Sequence, residues 1–148
     1  EDLARMYNAA GRREESLACH LAVRNQLLKN GYREGSMLLM VDNNMSVVYL
    51  DLGRPEEAIP YLTEALELTK ENGLVGSAVA EPTWNLARVY RALGDEEKED
   101  IYLKAAVEGF RECYPPEHPK RIAAEQRTWR SFCFYGKMCD GILKADYN

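Results

Sequence analysis

The sequence predicts an all-α fold, a solenoid of stacked antiparallel helix pairs. Three observations predict it. Glycines recur at Gly11, Gly53, Gly94 and Gly136, separated by 42, 41 and 42 residues. An aromatic residue stands four positions before each of them, at Tyr7, Tyr49, Tyr90 and Phe132. No segment of comparable length carries the alternation of a strand. A fixed period of this size marks repeat architectures, in which one helix pair cannot bury its own apolar face and neighbours must stack.

The first helix of each unit ends at its glycine. Eight positions before it stand Leu3, Met45, Leu86 and Thr128, and one position before it Ala10, Leu52, Leu93 and Tyr135. Offsets of −8, −4 and −1 share one helix face. That face is mostly apolar and is expected to be buried. The glycine then closes the helix, because it adopts the left-handed conformation that a C-terminal cap needs.

A second helix follows, most plainly at Arg54-Pro55-Glu56-Glu57-Ala58, where proline and early acids favour a helix start. Five residues after each glycine come Ser16, Ala58, Glu99 and Gly141, nine after come His20, Leu62, Leu103 and Ala145, and twelve after come Val23, Ala65 and Ala106. Small residues at +5 and +12 let two helices approach closely. Glu99 breaks that pattern and predicts a wider or shifted third pair. Pro60 removes one backbone bond and predicts a mild kink, not a break. The second helices end near Asn30-Gly31, Asn72-Gly73 and Tyr114-Pro115-Pro116.

The units therefore run over residues 1–35, 36–76, 77–118 and 119–148. The last is either a full pair or a capping helix, since Gly141 interrupts its second half. The first unit begins part-way into its first helix, and the chain does not begin with Met. Both features predict a piece of a longer protein.

Composition narrows the function. Of 148 residues 46% are apolar and 29% charged, with a net charge of −5. An acidic chain lacks the basic face a general nucleic-acid binder needs. No run approaches about 18 consecutive apolar residues, so no membrane span is expected. Cys19, Cys113, Cys133 and Cys139 form no CxxC pair. That usage predicts free thiols in a reducing, cytoplasmic setting.

Catalytic readings find little support. His20 follows Cys19, but adjacent helix residues point about 100° apart, and His20 falls at a packing offset. Cys113 and His118 flank a Pro-Pro turn, and two ligands do not make a metal site. Asp95-Glu96-Glu97 sits at a helix start, where acids favour the dipole. The glycines lie singly at helix ends and form no phosphate-cradling loop. No enzyme, cofactor or metal is expected.

At this point the residues resemble the tetratricopeptide repeat family. The strongest segments are Asn44-Met45-Ser46-Val47-Val48-Tyr49-Leu50-Asp51-Leu52-Gly53-Arg54-Pro55-Glu56-Glu57-Ala58 and Trp84-Asn85-Leu86-Ala87-Arg88-Val89-Tyr90-Arg91-Ala92-Leu93-Gly94. The usual repeat is about 34 residues. The longer period, with the linker Tyr114-Pro115-Pro116-Glu117-His118-Pro119, is similar to the subclass in kinesin light chains and LGN-type adaptors. The resemblance implies a right-handed superhelical α-solenoid whose first helices line a concave, peptide-binding groove.

Geometry selects the same helix face. Offsets of −10, −6 and −3 from each glycine form a stripe beside the buried one: Glu1, Arg5 and Asn8; Asn43, Val47 and Leu50; Trp84, Arg88 and Arg91; Gln126, Arg130 and Cys133. The resemblance adds an asparagine nine residues before the glycine that holds a peptide main chain. Asn44 and Asn85 match it, while Asp2 and Arg127 occupy that position elsewhere. The candidate groove is thus Arg5, Asn8, Asn43, Asn44, Val47, Leu50, Trp84, Asn85, Arg88, Arg91, Arg127 and Arg130. Trp129 adjoins it and is expected to pack.

Arginine offers a planar fork of donors to carboxylates, and Arg88, Arg91, Arg127 and Arg130 cluster in the last two first helices. The expected ligand is an acidic peptide with an apolar anchor near Val47, Leu50 or Trp84. An exposed charge pair contributes about 0.2–1 kcal/mol. Micromolar affinity, about −8 kcal/mol, therefore needs several contacts at once. The expected function is that of a protein-binding adaptor or scaffold. The alternative is a structural or regulatory segment that packs on its own longer chain or self-associates through exposed repeat ends.

Overall fold

A computed structural model describes residues 2–34 and 36–129. The described elements are all helices: α1 (Asp2–Ala9), α2 (Arg13–Lys29), α3 (Met37–Asp51), α4 (Pro55–Glu71), α5 (Ser77–Leu93), α6 (Glu96–Cys113) and α7 (Pro119–Glu125). Each packs on the next in chain order, and α3 also meets α5. This is the arrangement of antiparallel pairs stacked into a solenoid.

The glycines end the helices by one repeated device. Gly11, Gly53 and Gly94 take φ of 73°, 72° and 74°. In each case the next residue donates its N–H to the carbonyl of the aromatic five positions behind: Arg12 to Tyr7 at 2.8 Å, Arg54 to Tyr49 at 2.9 Å and Asp95 to Tyr90 at 3.0 Å. The glycine's own N–H reaches the carbonyl three residues back. These are the paired bonds of a Schellman stop. Helix starts are equally local: Pro55 opens α4, Asp95 accepts from the Lys98 N–H at 3.1 Å, and His118 Nδ1 accepts from the Lys120 N–H at 3.2 Å.

The packing offsets hold in the middle of the chain. Met45, Leu86, Ser16, Ala58, Ala65, Ala106, His20, Leu62 and Leu103 are buried. Tyr49 stacks on Tyr61 at 5.6 Å, and one period later Tyr90 stacks on Tyr102 at 5.4 Å. Helix α4 runs unbroken through Pro60, whose ring lies exposed.

Four expectations fail. At the −1 positions Ala10 and Leu93 are exposed and Leu52 is only half-buried. Leu3, at a −8 position, is 53% exposed rather than buried, because α1 packs on α2 and no described helix lies before it. The third pair is not spread by Glu99. That carboxylate turns to Arg91 at 3.3 Å, and close approach is made instead by Gly109, where an added Cβ would stand 3.0 Å from that of Ala80. Finally, α7 ends at Glu125, well before Gly136. Its stop has the same bonds as the glycine stops, Arg127 N–H to the Ala124 carbonyl at 3.2 Å and Thr128 N–H to the Ala123 carbonyl at 2.9 Å, but Arg127 itself takes the left-handed φ of 52°. Glu1, the Arg5 side chain, Arg130, Phe132, Cys133, Tyr135, Gly136, Cys139, Gly141 and Ala145 lie outside the described residues.

Candidate interaction face

Helices α3 and α5 occupy equivalent places in successive pairs, so residues one period apart meet. Asn85 Nδ2 donates to Asn43 Oδ1 at 2.9 Å. Arg88 Nη1 then donates to Asn85 Oδ1 at 3.3 Å. One turn further along α5, Arg91 is exposed and lays its guanidinium over the Trp129 ring, 4.7 Å from the centroid. Trp129 stacks on Trp84 at 5.2 Å, and Trp84 meets Phe110 edge-on at 6.4 Å. The result is an amide pair and two arginines on one helix, the outer arginine held flat by an aromatic shelf. Trp129 thus packs, as its sequence position suggested.

The structure corrects the expected open stripe. Asn43, Asn44, Val47, Trp84 and Asn85 are all buried. Helix α3 is buried around its whole circumference from Val41 to Tyr49, which encloses Asn44 and Val47. Asn43 and Asn85 are bonded to each other. Trp84 belongs to the apolar cluster with Leu103, Phe110 and Ala123. Leu50 is half-buried against the cluster of Met45 and Leu62. Asn8 and Arg88 are half-buried. Arg127 is exposed, but it sits in the turn after α7 and lines a cleft with Leu103, Val107 and Arg111. It therefore does not stand on a helix face beside Arg88, and the expected cluster of four arginines reduces, among the described residues, to Arg88 and Arg91.

Carboxylates already neighbour both arginines. Burial raises the Asp51 carboxyl above its ordinary range, and the positive charges of Arg88 and Arg13 oppose that rise. Arg91 pairs with Glu99 at 3.3 Å on an exposed edge. Elsewhere, burial pushes the Cys113 thiol up, which makes it a poor nucleophile. The His118 ring lies on Tyr114 at 3.8 Å. No group of three or more metal-ligating side chains occurs among the described residues.

One cluster escaped the sequence reading. Arg24 of α2 donates to Asp42 Oδ1 of α3 at 2.7 Å and to Glu64 of α4. Arg33 reaches Glu64 at 3.3 Å and Glu71 at 3.6 Å. These partners share no common offset from the glycines. The available signal was Asp42 itself, a carboxylate directly following the apolar run Met37-Leu38-Leu39-Met40-Val41.

Comparison with known proteins agrees with the geometry. The tetratricopeptide repeat signature matches residues 37–112, from the start of α3 to the last turn of α6 and just over half of the chain. The Fanconi anemia group G protein homolog of Mus musculus is 34% identical over 87 residues, which cover 59% of this chain and 13% of that protein. The chain thus spans only a small part of that relative's length. No described helix is long and apolar enough to cross a membrane.

Proposed function

Because the chain belongs to the tetratricopeptide repeat family, we propose that it is an interaction module that captures an acidic, extended segment of a partner protein at the α5 end of its first helices. Repeats of this family mediate protein–protein interaction. The observation that carries the finer reading is Arg91 lying on Trp129 with Arg88 one turn before it. These two arginines supply the carboxylate contacts. Asn43, Asn85 and Trp84 form the frame behind them, with Asn44 and Val47 inside the same helix layer. Asn8 on α1 stands at the same −3 offset as Arg91, two periods earlier.

A peptide library panned against the chain tests this reading. Acidic segments should be enriched, and the double change Arg88→Glu, Arg91→Glu should reduce that enrichment at least tenfold with the helical circular dichroism unchanged. Equal enrichment by a folded double variant would refute it.

The 41–42-residue spacing and the linker from Tyr114 to Pro119 support membership of the long-period subclass similar to kinesin light chains. Cys19 and Cys113 are free, which supports a reducing, cytoplasmic location. In domain terms we read three helix pairs, the first truncated at its start, with α7 opening the unit 119–148. A second reading is favoured by one feature: Leu3 and Met6 are 53% and 65% exposed on the outer side of α1. In that reading the segment stacks on another part of a longer chain or on a second copy. Light scattering separates the two, since a mass that rises with concentration and falls back on Met6→Lys points to self-association, and a constant monomer counts against it.

A further inference from the structure

Position 99 carries a charge where its counterparts carry packing groups. Ser16 and Ala58, at the same offset in the first and second pairs, are buried between helices. Glu99 has no such duty. The close approach of α5 and α6 is made by Gly109 against Ala80. The Glu99 carboxylate turns back instead to Arg91 Nη1 on α5, at 3.3 Å. The acids near it find lysines close by in sequence: Asp95 is paired with Lys98 at 3.2 Å and Asp100 with Lys104 at 2.6 Å. Glu99 thus reaches across to the neighbouring helix, and to the arginine that Trp129 holds from the other direction. The Arg91 side chain is 54% exposed and that of Glu99 19%, so the guanidinium stays open to a group arriving from solvent.

We propose that Glu99 is a resident competitor for the acidic segment: it takes one edge of the Arg91 fork while no partner is bound and yields it to a partner carboxylate. The inference rests on the acidic-segment reading above and names what sets the selectivity of that site. A guanidinium carries a single charge and five N–H donors. The Trp129 ring lies under its plane, 4.7 Å from the carbon at its centre, and Glu99 lies at its edge. A partner carboxylate must either share Arg91 with Glu99 or displace it. Sharing sets two like charges beside one cation, and displacement releases Glu99 to water. Either route takes back part of what the new contact contributes. A segment with one carboxylate therefore gains little at Arg91. A segment with several, engaging Arg88 at the same time, gains enough to stay. Glu99 in this way sets the charge density that a partner must present.

Calorimetric titration of the full chain tests the role, with a glutamate-rich peptide and the same peptide carrying glutamine for each glutamate. Glu99→Gln should tighten binding of the acidic peptide by about two- to fivefold and leave the glutamine peptide unchanged. A merely structural change would move both peptides alike. The gain should be absent when Glu99→Gln is made on an Arg91→Gln background, and absent from the charge-matched control Glu97→Gln, whose side chain is exposed. Should Glu99→Gln fail to fold, Glu99→Ser, which supplies the residue type of Ser16, carries the same expectation. Unchanged affinity for the acidic peptide, or an equal gain in Glu97→Gln, overturns the proposal while leaving the acidic-segment reading in place. An acidic peptide that binds neither the unaltered chain nor the folded variant overturns both.

Discussion

The seam between the first and second helix pairs and the seam between the second and third share one backbone plan and differ in chemistry. The first adds ion pairs to the apolar contact of Leu17 with Met45 and Leu62: Arg24 to Asp42 and Glu64, Arg33 to Glu64 and Glu71, Arg13 to Asp51 at 3.9 Å and Arg54 to Glu14 at 3.6 Å. The second is crossed by Leu86 and Val89, which enter the same apolar cluster as Met45, Val48 and Leu62, and by the amide pair Asn43–Asn85. The difference teaches that the glycine stops set the register, while the chemistry of each seam is free to vary. An ionic seam responds to salt and pH. An apolar one does not, and it makes the firmer platform beneath the proposed binding face on α5.

The largest effect should come from the apolar seam. Leu86→Ala removes a fully packed side chain and should destabilise by about 2–5 kcal/mol, read as a lower urea midpoint. The loss should be the same at low and high salt. A loss that depends on salt would erase the distinction between the seams. A smaller effect belongs to the amide pair. In a double-mutant cycle of Asn43→Ala and Asn85→Ala, the coupling should be about 0.5–1.5 kcal/mol, and zero coupling would show that the contact does not hold the two first helices together.

Smaller still, and of opposite sign, is Arg127→Gly. A non-glycine residue in the left-handed region is strained by about 1–2 kcal/mol. Part of that relief is offset by the greater freedom of glycine in the unfolded chain. The variant should be more stable by a few tenths to about 1 kcal/mol in thermal unfolding. The smallest effect is that of salt on the ionic seam, where raising sodium chloride from 0.1 to 1 M should speed exchange in α2 by a few-fold and leave α5 unchanged.

How much of this was legible in the sequence depends on distance along the chain. Helix ends were legible because a Schellman stop needs only a glycine and the residues around it, as at Gly53 and Gly94. The end of α7 was not, because Arg127 adopts there a conformation that its residue type does not advertise. The stripe holding Asn43, Trp84 and Arg88 could be named from offsets, and Asn85 from the resemblance, but the burial of Asn43, Trp84 and Asn85 could not. Nor was it legible that Asn43 and Asn85 bond each other, since offsets give a direction around one helix and say nothing of how near its neighbour comes. The Gly109–Ala80 approach and the Arg24–Asp42–Glu64 junction were missed for the same reason. Both arise from how separate helices pack, and neither repeats with the glycine period.

The central claim is that the α5 end of the first helices takes an acidic segment. Amide and indole chemical-shift mapping with a glutamate-rich peptide and a lysine-rich control tests it most directly. The account predicts that only the acidic peptide shifts resonances, concentrated at Arg88, Arg91 and the Trp129 indole and weakened by Arg91→Glu. Shifts confined to α1 around Leu3 and Met6, or equal shifts with the lysine-rich control, would contradict it.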